Sequence, residues 1–117
     1  MNAAVQLVAF RLDDQRYGLP LASVERVVRI VDITPLPNAP EIVLGIIDVQ
    51  GRVIPVVDLR RRFGLPERAI ALTDQLLLAR TARRPVALAV ETVTGVLEVS
   101  EQQAVAARDV LPALRYV

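Results

Sequence analysis

An internal repeat constrains this chain more than any other feature of its sequence. Laid over itself with an offset of 69 residues, Leu7 falls on Leu76, Arg11 on Arg80, Leu19 on Leu88, Val24 on Val93, Val27 on Val96 and Ile30 on Val99. A rhythm that recurs at fixed spacing marks two copies of one supersecondary unit. In the first copy the rhythm runs on into a hairpin-like segment, Gly45 to Asp58, whereas the second reaches Val117 where an equivalent would begin. The expectation is one domain over 1–117 built of twin subdomains. The first covers roughly 12–70 with the N-terminal strand, and the second, roughly 71–117, is incomplete.

A hydrophobic content of 53% is ample for a core and excludes a disordered tail. The sequence has no cysteine and no histidine, and all 14 basic residues are arginine. Thiolate nucleophiles, imidazole bases, the usual zinc ligand sets, Schiff bases and a phosphate-loop lysine are therefore excluded, and no catalytic, metal or cofactor site is expected. A net charge of +1 with interspersed signs gives no long-range pull toward nucleic acid or an anionic membrane. Phe10, Tyr17, Phe63 and Tyr116 are the only aromatics. Four scattered rings do not make a base-stacking platform. The N-terminus lacks the basic start and apolar run of a signal peptide, and no stretch approaches a membrane span, so a cytoplasmic location without membrane insertion is expected.

Along the chain, Val5 to Leu12 alternates as a strand, Asp13 to Arg16 reads as a turn, and Tyr17 to Leu21 returns as its partner. Val24 to Val31 is rich in β-branched residues with apolar positions on both faces, so both faces are expected to be in use. Pro35, Pro37 and Pro40 make 33–40 a surface connection, and Glu41 to Leu44 is expected to form one helical turn. The hairpin-like segment turns at Gln50-Gly51, and Pro55 demands an unpaired side at its position. Asp58 is a candidate N-cap, with Leu59 and Phe63 on one face of a short helix and Gly64 past its end. Arg60, Arg61 and Arg62 are expected to point outward. Residues 65–73 read as a loop, Asp74 to Arg80 and Val86 to Val90 as a second hairpin, and Val93 to Val99 as a repeat of the Val24 strand. Ser100 to Gln103 opens a weak helical or irregular stretch. About eight short strands with little helix are the signature of a small barrel or sandwich.

The run Leu44-Gly-Ile-Ile-Asp-Val-Gln-Gly-Arg-Val-Ile-Pro-Val-Val-Asp-Leu-Arg60 resembles the hallmark segment of CheW-like coupling proteins. Tyr17-Gly18-Leu19-Pro20, the Val24 strand, the Pro35 to Pro40 loop and the Val90 to Val99 strand fall in that family's order. The resemblance implies an all-β fold, mainly β with short helices, of two small SH3-like β-barrel subdomains, the second incomplete. It implies a non-catalytic signal-transduction adaptor that couples a chemoreceptor cytoplasmic tip to the regulatory domain of a histidine kinase. Partner contacts are then expected at Arg26, Val27, Arg29, Asp48, Gln50, Gly51 and Arg52. Two departures stand out. The family's Asn-Leu-Arg-Gly is here Asp48-Val49-Gln50-Gly51, and a glutamate common on the preceding strand is here Arg26. Both ends of an ion pair that the resemblance implies have changed, and Gln50 could accept a hydrogen bond from Arg26. This is read either as a compensated structural contact or as a changed receptor-facing groove.

Two other classes fit the sequence less well. A stand-alone β-barrel module for a small ligand or nucleic acid is disfavoured by the few aromatics, and a hydrolase pairing Asp48 with Asp58 is disfavoured because each is more simply a turn or cap residue. Without its hairpin, the second subdomain would leave an unpaired ladder around Val86 to Val99. Self-association, most simply as a dimer, is therefore expected.

Overall fold

The computed structural model describes residues 4–100. Eight strands make two sheets: β1 (Ala4–Leu12), β2 (Gln15–Pro20), β3 (Val24–Arg29), β4 (Val43–Val49), β5 (Arg52–Asp58), β6 (Gln75–Arg80), β7 (Pro85–Val90) and β8 (Thr92–Ser100). A 3₁₀ turn, Leu21–Ser23, precedes β3, and a short helix, α1 (Leu59–Arg62), follows β5. One sheet has the order β2-β1-β8 and the other β3-β6-β7-β5-β4.

The repeat is legible in these orders. It matches β1 to β6, β2 to β7 and β3 to β8, so β2-β1-β8 and β7-β6-β3 are the same arrangement with the third strand exchanged between copies. Each sheet therefore takes strands from both sides of residue 70. Only the five-stranded sheet carries a further hairpin, β4–β5, joined by a parallel pairing of β5 with β7 at Val56 to Asp58. That pairing starts just after Pro55. Neither Pro55 nor Pro85 can donate to a ladder, which leaves the first half of β5 unpaired on that side, as Pro55 requires. Beyond β3, Thr34 bridges Ile46 on β4 through two 2.9 Å backbone hydrogen bonds, and the sheet curls back on itself as a small barrel. The crossing is close enough that a Cβ on Gly45 would collide with the Thr34 carbonyl, so only glycine fits.

Strand faces follow from the alternation. Leu76 and Leu78 of β6 and Ala87 and Ala89 of β7 fill the barrel with Ile47, Val49, Ile54 and Val56. The intervening Leu77, Ala79, Val86, Leu88 and Val90 pack against Val8, Phe10, Leu12 and Leu19 of the other sheet. β6 and β7 are thus buried on both faces and contribute to both clusters. β3 uses both faces in part, as expected: Val24 packs against the core between the sheets and Val28 against the barrel interior, while Arg26, Val27 and Arg29 are exposed. Phe10, Tyr17 and Phe63 stack in one column at 5.8 and 5.0 Å between centroids, so three of the four rings expected to be scattered are gathered between the sheets.

Other expectations change in detail. Glu41 to Leu44 forms a turn and then strand rather than helix, with the Val43 N–H bonded to the Pro40 carbonyl at 2.9 Å. The first turn is only Asp13-Asp14, and Arg16 already belongs to β2. Asp58 caps α1 by accepting from the Arg60 N–H at 3.0 Å, and Gly64 takes φ +69°. Val86 to Val90 has no free edge, since β6 and β5 flank it; within the stretch expected to be unpaired, β8 is the edge strand, at the opposite side of its sheet from β2. The stretch beyond Ser100, where a weak helix and the end of the second subdomain were expected, lies outside the described residues.

Candidate functional site

The expected partner-contact residues fall into two groups that the fold brings together. Arg26, Val27 and Arg29 lie on β3 opposite Leu78, Leu77 and Gln75 of β6, and all three are exposed. Asp48, Gln50, Gly51 and Arg52 form the tip of the β4–β5 hairpin. Gln50 and Gly51 have φ +52° and +82°, the left-handed pair that a tight two-residue hairpin needs, and Asp48 accepts from the Gly51 N–H at 2.9 Å. Asp48 is thereby a turn residue, held by its own backbone.

An ion pair joins the groups, but at other residues than expected. Arg52 grips Glu25 with both terminal nitrogens, at 2.8 and 3.3 Å, a bidentate contact between positions 27 residues apart. No hydrogen bond links Arg26 to Gln50 among the described residues. The displacement has a local cause: the β3–β6 register slips between Val24 and Arg26, and the extra residue in this bulge is Glu25. Simple alternation along β3 places Glu25 on the wrong face, so sequence reasoning missed it. The hydrogen bond from Arg52, with the charges of Arg52, Arg80 and Arg26, holds the Glu25 carboxyl below the ordinary glutamate range, and Glu25 in turn raises the Arg52 pKa.

A second charged cluster sits at the junction of the sheets, and it corrects the outward placement of Arg60. The Arg60 side chain is 9% exposed. Its Nη1 donates to Glu91 at 3.0 Å, its Nη2 to Asp13 and its Nε to the Pro66 carbonyl at 3.0 Å. Glu91 also accepts from the Asp13 N–H at 2.8 Å. One guanidinium thus ties α1 to the β1–β2 turn, the β7–β8 corner and the 65–74 loop. In that loop Arg68 bonds the buried Asp74 at 3.1 Å. Arg61, by contrast, is exposed and reaches the Glu41 carbonyl at 2.8 Å. An arginine run reads as a solvated face, and only the position of Asp13 and Glu91 in three dimensions turns Arg60 inward. Beside this cluster lies a cleft of about 330 Å³ lined by Leu12, Arg60, Arg68, Asp74 and Glu91, with its arginines and carboxylates already bonded to one another.

Residues 6–113 match the CheW-like domain family. The chain belongs to that family. It is 33% identical over 101 residues to the chemotaxis protein CheW of Rhizobium meliloti, covering 86% of this chain and 65% of that protein. It is also 33% identical over 98 residues to the CheW of Thermotoga maritima, covering 84% and 64%. Among solved structures it is similar to the scaffolding protein TtCheW of Thermoanaerobacter tengcongensis, with TM-score 0.79, 33% identity and coverage of 87% of this chain and 68% of the other. The chain spans a little under two thirds of the length of these curated relatives. The all-β reading and the placement in this family from the Leu44 to Arg60 hallmark are borne out.

Proposed function

We propose that the protein is a non-catalytic adaptor of a chemotaxis or related signalling pathway, which couples a chemoreceptor cytoplasmic tip to a histidine kinase regulatory domain. The match to the CheW-like family over 6–113 carries this reading, and the description of the solved relative as a scaffolding protein supports it. The contact surface is β3 and the β4–β5 tip: Arg26, Val27, Arg29, Asp48, Gln50, Gly51 and Arg52, braced by Glu25. Exposed Val27 and Val53, at 37% and 63%, add apolar area beside the charges, the mixture typical of protein interfaces. No helix among the described residues is long and apolar enough to cross a membrane, and the adaptor reading places the protein in the cytoplasm. Co-sedimentation of the chain with receptor-tip fragments and with the kinase regulatory domain of the same organism tests the reading. Capture of either partner, without turnover of nucleotide, is expected; specific nucleotide binding with no affinity for either partner overturns it.

The same reading includes self-association of the 117-residue chain as a dimer. What supports it is the outer edge of β8, which has no strand partner among the described residues and exposes Val96 and Leu97, at 54% and 40%. Light scattering at micromolar concentration is expected to give a dimer; a monomer overturns this part alone.

A further inference from the structure

The interior-facing rows of the five-stranded barrel end in arginine. On β6, Arg80 stands two residues past Leu78; on β5, Arg52 stands two before Ile54; on β3, Arg26 is the register partner of Leu78. Leu78 and Ile54 line the barrel core, so three arginines from three strands continue its rows to one open end. Glu25, the bulged residue, sits among them and feels the charge of all three. The turn after Arg80 adds Arg83 and Arg84, both exposed. The acids at this end are Glu25, engaged by Arg52, and Asp48, engaged by its own turn. Arg80 gives one nitrogen to the Ala22 carbonyl, and among the described residues the guanidinium groups of Arg26, Arg83 and Arg84 contact no carboxylate. A chain of net charge +1 thus gathers five arginines against two acids at one end.

We propose that this arginine-ringed barrel mouth docks a carboxylate-rich segment of a partner polypeptide. The inference rests on the adaptor reading and gives the partner's chemistry at that surface. Planar guanidinium groups suit paired carboxylates, and three of them converging from separate strands are positioned before the partner arrives. Glu25 keeps Arg52 in place until a second acid shares the mouth. Leu21, Val27 and Val53, exposed on the 3₁₀ turn, on β3 next to Arg26 and on β5 next to Arg52, favour a polypeptide over a nucleic acid, and the three described aromatics that could stack bases are spent on the column between the sheets.

The test is fluorescence anisotropy with a labelled octaglutamate peptide at low salt, using the whole chain, Arg80→Glu, Arg26→Gln and, as a control of equal charge change to the first, Arg16→Glu on β2. Thermal melts accompany each variant, and Arg26→Gln, at an exposed site without a described ion pair, keeps the test valid if Arg80→Glu fails to fold. The expected result is that Arg80→Glu weakens the peptide about tenfold and Arg26→Gln about threefold, with Arg16→Glu within about twofold of the parent. No peptide binding, equal losses in the control, or tighter binding of an oligothymidine of equal charge each overturns the proposal. None of these arms contains receptor or kinase, so a failure here leaves the adaptor reading to be judged by co-sedimentation.

Discussion

The sheets β7-β6-β3 and β2-β1-β8 are the same motif twice, yet they meet different fates. Beside β7 the first gains β5 and β4, and beyond β3 the chain returns at Thr34 to close a barrel with its own filled interior. The second stays three strands wide among the described residues. The contrast shows where a small β-unit obtains its core: the repeat supplies two hairpins that sandwich one another, and the added hairpin turns one sheet into a two-sided structure. β6 sends Leu76 and Leu78 into the barrel interior, whereas β1, though buried from Leu7 to Phe10, contributes Val8, Phe10 and Leu12 to the core between the sheets.

The largest effect is expected where the barrel closes. Gly45→Ala places a methyl into the Thr34 backbone, and calorimetry should find a loss of about 3 kcal/mol or more, or no cooperative fold. In the open sheet, by contrast, a Cβ on Gly95 of β8 would meet nothing within 4 Å. A sharper comparison uses repeat equivalents. Leu19 and Leu88 are both fully buried between the sheets, so Leu19→Ala and Leu88→Ala should each cost about 2–5 kcal/mol, and by amounts within about 1 kcal/mol of each other in urea denaturation. A large inequality would mean that the two copies do not share one core.

Next comes the junction. Arg60→Ala strands Asp13 and Glu91 beside a largely enclosed site, and a loss of about 2–3 kcal/mol is expected, discounted from the fully buried case because both acids are partly exposed. Arg60→Ala and Asp13→Ala should be strongly non-additive in a double-mutant cycle. The smallest stability effect belongs to Arg52→Ala, at a solvent-exposed pair screened by water. Its clearest readout is titration. Glu25 has a depressed pKa in the folded state, so its contribution is present above the unfolded pKa and fades as pH falls through the folded one. NMR should see Glu25 titrate at lower pH than an ordinary glutamate and move back up in Arg52→Ala.

Much of this fold was legible in the sequence because alternation, proline and glycine act locally. The β4–β5 hairpin with its Gln50-Gly51 turn, the Asp58 cap and the second hairpin all follow from neighbours a few residues apart. The exchange of β3 and β8 between sheets was not legible, since the repeat reports that two units are alike and says nothing about which pairs with which. The site shows the same division. Arg52 and Gln50 lie on a motif that sequence can single out, whereas Glu25 owes its place to a one-residue register slip, and Arg60 owes its burial to acids 47 and 31 residues away.

The pairing of β1 with β8 joins Ala4 to Ser100, and it has a consequence for the birth of the molecule. On the ribosome the β1–β2 hairpin emerges first, but one flank of β1 waits for nearly the entire described chain to be synthesised before its partner exists. β6 does not wait in this way, since β3 is already made when it appears. The barrel can therefore form while translation continues, and the three-stranded sheet is completed last. During that interval the nascent chain carries an apolar strand, with Leu7 and Ala9 waiting for cover, that a chaperone can recognise.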